Sequence, residues 1–323
     1  MGDQEKQTAE VMENRALAFA PNMPDGSAWP RISIVTPNYN YAHYVGDTLY
    51  SVVSQGYPNL EYIVIDDGST DESYREILKY KPWLAHCEQQ SNMGQARTLN
   101  KGFAMSNGEI MAWLNSDDKH MPWTLAVVAE IFRAFPDVEW ITGTPTVWDS
   151  QGRNIAVIPS ARKNIYSYGL GRYEWIQQES VFWRRSLWER AGGHINADYK
   201  FQIDCELWTR FFQLAELWHV DTCLGGYRYH SVTRSSQNME STHREAKQAI
   251  ATLACKFDKR ILRDLGLLKW MGKLQFADRV FNIHALFRRV FRSLARRTAY
   301  KRIAWAGEIG KWRKGEVPFD LFE

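Results

Sequence analysis

A chain of 323 residues that is 45% hydrophobic and 14% aromatic has material for one large domain, or for one domain and an appendage. Its four cysteines (Cys87, Cys205, Cys223, Cys255) are scattered and form no CxxC pair, which argues against a zinc site or a disulfide framework and for a reducing cytoplasm. No run of about 18 apolar residues predicts a membrane span, and the net charge of +3 hides an asymmetry: residues 256–314 carry 17 Lys and Arg against 4 Asp and Glu.

Residues 1–30 open with acidic and amide side chains rather than a basic then apolar leader. They predict a short helix over Glu5–Phe19 and a linker, Pro21–Pro30, rich in Pro, Gly, Asn and Ser. Arg31–Thr36 is a β-rich apolar run closed by Pro37-Asn38, hence a strand and turn. Gly46–Gln55 has helical spacing, Glu61–Ile65 reads as a second strand closed by Asp66-Asp67-Gly68-Ser69, and Asp71–Tyr80 reads as a helix. A weak strand at Ala85–Gln90, a helix at Met93–Ser106 and a strand at Glu109–Leu114 follow. This alternation predicts an α/β fold with a mostly parallel, Rossmann-like sheet and crossover helices.

In such sheets ligands bind beyond the carboxyl ends of the strands. The polar clusters Pro37–Tyr41, Asp66–Thr70, Asn92–Arg97 and Asn115–Asp118 all fall there. PNYNY after the first strand lacks the glycines of a dinucleotide-binding turn. The segment Trp113–Asp118 is sharper still, because adjacent carboxylates at a strand tip repel and raise each other's pKa unless a counter-ion is present. A divalent cation carrying a phosphate, Mn²⁺ or Mg²⁺ on oxygen ligands, resolves that conflict and points to an enzyme using a nucleotide-activated donor.

The ordered set IVTPNYN (Ile34–Asn40), VSQGYPNLEYIVIDDGSTD (Val53–Asp71), NMGQARTLNKG (Asn92–Gly102), WLNSDD (Trp113–Asp118), FWRRSLWERAGG (Phe182–Gly193), IDCELW (Ile203–Trp208) and YRYHSVTRSS (Tyr227–Ser236) resembles glycosyltransferase family 2 on the GT-A fold. It covers roughly Arg31–Ser236. The resemblance implies an inverting, metal-dependent transferase that moves a sugar from a UDP- or GDP-type donor to a glycan, lipid-linked or other hydroxyl acceptor in surface polysaccharide or glycoconjugate synthesis. It implies that Thr36, Tyr39 and Asp67 hold base and ribose, that Asp117 and Asp118 carry the metal, that His230 completes the metal shell or touches the diphosphate, and that Asp204 is the catalytic base. Where the family often has Asp, this chain has Asn115, one carboxylate fewer beside the ribose.

Arg97, at a helix start where free N–H groups favour phosphate, is placed on the diphosphate. Gln178 and Glu179 are assigned to the sugar or acceptor pocket, with Glu179 and Glu206 as alternative bases. Trp208 either stacks on a sugar or packs on the sheet. A bland reading makes Asp204 a helix cap or a partner of Arg210. Ser231–Ser236 is expected to form a flap, with Arg234 able to reach phosphate.

Beyond Met239 the sequence reads as helical, basic and aromatic, which divides the chain into 1–30, 31–238 (catalytic) and 239–323. Phe281–Arg297 has the composition of an interfacial helix on an anionic membrane, or of a helix packed on the catalytic part, so the protein is expected in the cytoplasm or peripherally on the inner face. No nucleic-acid recognition motif accompanies the charge. Two other readings compete: a nucleotidyltransferase, which would need a Gly-rich basic loop after the first strand, and a non-catalytic nucleotide-sugar-binding or scaffold protein.

Overall fold

The computed structural model describes residues 19–158, 162–171, 176–230, 238–281 and 288–319. The expected helix Glu5–Phe19, the flap with Arg234 and residues 282–287 of the basic helix lie essentially outside them. The first half alternates as β1 (Ile32–Asn38), α1 (Ala42–Val53), β2 (Leu60–Asp66), α2 (Ser73–Leu78), β3 (His86–Gln89), α3 (Gln95–Met105) and β4 (Ile110–Trp113). After it come β5 (Lys119–His120), α4 (Thr124–Ala134), β6 (Trp140–Thr142), β7 (Thr146–Trp148), β8 (Asn154–Val157), α5 (Ile165–Gly169), β9 (Val181–Arg184), α6 (Arg185–Arg190), α7 (Ile203–Phe212), β10 (Leu217–Val220) and β11 (Gly225–Arg228). The C-terminal region holds α8 (Met239–Ala254), α9 (Lys259–Phe281), α10 (Arg288–Arg297), β12 (Tyr300–Ala306) and β13 (Lys311–Val317).

Nine strands form one sheet in the order β13-β12-β10-β6-β9-β4-β1-β2-β3. β1 pairs in parallel with β2 and β4, whereas β9 lies antiparallel between β4 and β6. β1 is buried at every position, as expected of a strand covered by helices on both faces. Its alternate residues feed two cores. Ile32 and Ile34 meet Val45, Leu49 and Val52 of α1, while Val35 meets Leu99 and Phe103 of α3. A second sheet, β5-β11-β7-β8, stands beyond the carboxyl end of β4.

α1 begins four residues earlier than its apolar spacing suggests, because its cap comes from elsewhere in the chain. The Asp71 carboxylate accepts from Ala42 N–H (3.0 Å), and Ser73 Oγ accepts from Tyr41 N–H (3.0 Å). The helical expectation for the C-terminal region holds through α10 and fails after it. Residues 311–315 alternate exposed and half-buried, a period-2 pattern that selects strand over helix, while Ile303 is fully buried against the first core and Trp312 packs on that core's edge. The resulting hairpin joins β10 in parallel, so the tail extends the central sheet. Among the described residues no helix is long and apolar enough to cross a membrane.

Candidate active site

The loops after β1, β2 and β3 are knitted into one rim. Asp67 N–H donates to Asn38 O (2.7 Å), and Asn38 Nδ2 donates to Asp66 Oδ2 (2.7 Å). Asp66 also accepts from Ser69 N–H and from Gln89 Nε2, so it locks its own turn. Asp67 is buried and accepts from Met93 N–H (2.9 Å), Gly94 N–H (2.8 Å) and Gln90 Nε2 (2.8 Å). Three of about four acceptor positions on that carboxylate are thereby filled from within, and Asp67 holds loop 92–94 in place. Gly94 takes φ 86° at the start of α3, and Arg97 projects exposed from the first turn. Tyr39 is 46% exposed on the rim, as a base-stacking ring requires. Thr36 is not on the rim: its side chain is fully covered and its hydroxyl pairs with Tyr62 Oη (2.9 Å).

Asp117 and Asp118 follow β4 and are both buried. Asp118 Oδ1 accepts from Arg228 N–H (2.9 Å) and Oδ2 from Asn115 Nδ2 (3.2 Å). Asn115 in turn accepts from Gln95 Nε2 (2.9 Å), which ties the acidic tip to α3. Asp117 Oδ2 lies 3.1 Å from His230 Nε2, and the imidazole is flanked by Tyr44 (4.7 Å) and Tyr41 (5.9 Å). Burial, with the charges of Asp117 and Glu179, pushes the Asp118 carboxyl well above the usual carboxylate range.

Asp204 opens α7 half-buried, with Oδ1 accepting from Cys205 N–H (2.8 Å). Burial pushes its carboxyl up to about 6. Arg210 does not pair with it. The guanidinium binds Glu206 through Nε (3.0 Å) and Nη2 (2.9 Å), which removes both the Asp204–Arg210 pair and Glu206 as a free base. Glu179 is near enough to both Asp117 and Asp204 for their charges to act on its carboxyl. Its carboxyl is buried, Oε1 has no partner among the described residues, and burial together with the charges of Asp204 and Asp117 raises it to about 8. Its neighbour Gln178 donates through Nε2 to Trp113 O, leaving Oε1 without a donor.

Trp208 is overturned as a sugar platform. It is 1% exposed and stacks on Trp113 (5.6 Å) and Trp140 (5.7 Å) inside an aromatic cluster with Trp183 and Phe211. Its faces are already filled, which settles the alternative in favour of packing on the sheet.

Arg228 is the residue sequence reading passed over. At 1% exposure, its Nε donates to Asp117 O (2.7 Å), Nη1 to Ser150 O (3.4 Å) and Nη2 to Asp47 Oδ2 (3.2 Å), while the guanidinium lies 4.9 Å from the Tyr44 ring. A buried cation therefore already stands beside the acid pair. The signal was present in YRYH: strand alternation puts Arg228 and His230 on one side and leaves Tyr229 on the other, 64% exposed.

Among the described residues no three His, Cys, Asp or Glu side chains form a metal cage, so the expected Asp117, Asp118 and His230 set is not a closed site. The donor chemistry instead fits a hard cation held by one or two carboxylates and completed by substrate phosphates, the usual arrangement for Mg²⁺.

Residues 33–185 match Glycosyl transferase family 2. An uncharacterized glycosyltransferase of Nostoc sp. (strain PCC 7120) is 37% identical over 112 residues, 32% of this chain and 33% of that protein. The putative teichuronic acid biosynthesis glycosyltransferase TuaG of Bacillus subtilis is 38% identical over 94 residues, 28% and 37% of the two chains. The chain thus spans about a third of the length of these curated relatives. Among solved structures, S. aureus TarS 1-349 in complex with UDP-GlcNAc superposes with a TM-score of 0.59 at 18% identity, covering 76% of this chain and 72% of that one; the two share the mixed α/β GT-A fold.

Proposed function

We propose that this chain, whose residues 33–185 match Glycosyl transferase family 2, transfers a sugar from a nucleoside-diphosphate sugar to an acceptor hydroxyl with inversion. The observation that carries this is the position of Glu179, whose carboxyl feels both Asp117 and Asp204. On this reading the acidic strand tip and the α7 carboxylate border one space at the carboxyl end of the sheet, where α/β folds bind ligands.

Tyr39 stacks on the base, and the last acceptor position of Asp67 takes a base N–H. Asn115 and Asp117 face the ribose, and Arg97 with the N–H groups at the start of α3 holds the diphosphate. Asp117 and Asp118, with His230 behind Asp117, hold a divalent cation. When bound, that cation supplies Lewis-acid stabilisation of the leaving diphosphate. Gln178 and Glu179 offer buried acceptor oxygens to sugar hydroxyls. Asp204 removes the acceptor proton as the hydroxyl oxygen attacks the anomeric carbon from the side opposite the diphosphate. A good leaving group needs no acid, so one carboxylate suffices where a glycosidase needs two.

The UDP-GlcNAc named for TarS makes UDP-sugars the first donors to try, and the relation to TuaG makes a surface polysaccharide or lipid-linked glycan the first acceptor class. The test is a screen of UDP- and GDP-sugars with Mn²⁺, reading nucleotide release with and without acceptor. Asp204→Asn should lower kcat by roughly 10²–10⁴-fold while donor KM changes little. Release by no nucleotide-sugar, or undiminished transfer by this variant, overturns the reading.

A further inference from the structure

We propose that the tip of the C-terminal β12–β13 hairpin is a membrane-contact element that seats on an anionic lipid surface. Its place in the sheet comes from pairing alone. β9 is antiparallel to both β4 and β6, β6 is parallel to β10, and β10 is parallel to β12. β12 therefore runs with β1 and β4, and its turn, residues 307–310, lies at the end of the sheet that carries Asp117 and Tyr39. It sits four strand spacings from β4, about 19 Å at ~4.8 Å per strand, and sheet twist swings it onto the flank of that rim.

The tip has the chemistry of an interface. Trp305 is 53% exposed and Ile309 45% exposed, and Trp305 is held against Trp312 across the strands (5.3 Å). Between residues 300 and 317 there are five cations, Lys301, Arg302, Lys311, Arg313 and Lys314, against Glu308 and Glu316. Lys301 pairs with Glu316 and Glu216, Arg302 with Asp221 and Lys314 with Asp137. Lys311 and Arg313 are exposed and have no ion-pair partner among the described residues. Two free cations alone would suit any polyanion. The exposed indole and Ile309 share the tip with them, Trp305 on the Trp312 face of the hairpin and Lys311 and Arg313 on the other; a tip that enters end-on presents both faces and favours a bilayer, where Trp sits at headgroup level, an apolar side chain reaches the acyl boundary and cations meet anionic lipid.

The inference stands independently of the transfer chemistry. The test sediments the full chain with vesicles of phosphatidylcholine containing phosphatidylglycerol, and with phosphatidylcholine alone. Binding is expected to the first at low salt and to weaken as salt shortens the Debye length. Trp305→Ser with Ile309→Ser should lower the partition coefficient roughly tenfold or more, and Lys311→Glu with Arg313→Glu should give a loss of similar order. Donor turnover without membranes should stay at the wild-type level, and Ile309→Gln alone, in the turn, guards against misfolding of the double variant. Absence of binding to anionic vesicles at low salt overturns the proposal. So does binding that ignores the apolar substitutions and is competed away by soluble polyphosphate, which would mark a polyanion site.

Discussion

At the residue scale the site is a set of carboxyls, from the buried Asp117, Asp118 and Glu179 to the half-buried Asp204, whose environments differ. Asp204 is raised to about 6 by burial, and in the base role proposed for it the carboxyl must be ionised to accept a proton. Activity limited by that step is therefore present above pH about 6 and lost as pH falls through it, which a kcat–pH profile of the wild type will show. Asp118, raised by burial and by two neighbouring carboxyls, must shed its proton to take a cation. Mn²⁺ at about 100 times its dissociation constant should add roughly 2.7 kcal/mol of stability, seen as a rise in Tm. Asp118→Asn should abolish that rise, and an unchanged Mn²⁺ response would exclude this carboxylate. The positions of the acid pair after β4 and of Asp204 at the start of α7 were legible in the sequence, from an apolar run that ends in like charges and from the apolar face of the helix that follows; their roles remain those proposed above. Arg228 was not, since its role depends on which side of a four-residue strand faces in. For Thr36 and for the choice left open at Trp208 the converse holds: a motif position gives identity but not which core encloses the side chain.

At the element scale, the parallel half was readable from alternation of apolar runs and turns. The caps of its helices were not. α1 draws its cap from Asp71 and Ser73, residues some thirty positions away, and no local rule supplies that. The second sheet was equally hidden, being made of strands of two to four residues. Its β11 approaches the site very closely. A Cβ built on Gly225 would lie 2.3 Å from Glu179 O, a backbone atom that cannot swing aside. Gly225→Ala should therefore destabilise the fold by about 1–3 kcal/mol and displace Glu179. Melting and donor KM measured together check this, and a variant with wild-type values in both would mean that the segment yields freely.

At the scale of the molecule, the basic tail that charge asymmetry marks off in the sequence is not merely an appendage. β12 covers the edge of β10, and Ile303 is fully buried in the first core. A chain ending after residue 297 should expose that edge, an open template for intermolecular pairing. It is expected to elute as aggregate in size-exclusion chromatography at concentrations where the full chain does not; a well-behaved truncated protein would show the hairpin to be dispensable for folding.

The reversed strand β9 has a consequence for synthesis. It joins the two parallel halves of the sheet, yet it emerges from the ribosome about 70 residues after β4. At ~5–20 residues per second the nascent first half waits on the order of 4–14 s with one flank of its sheet unsealed. Slowed translation between residues 114 and 181, or cold expression, lengthens that exposure and invites chaperone capture in place of closure.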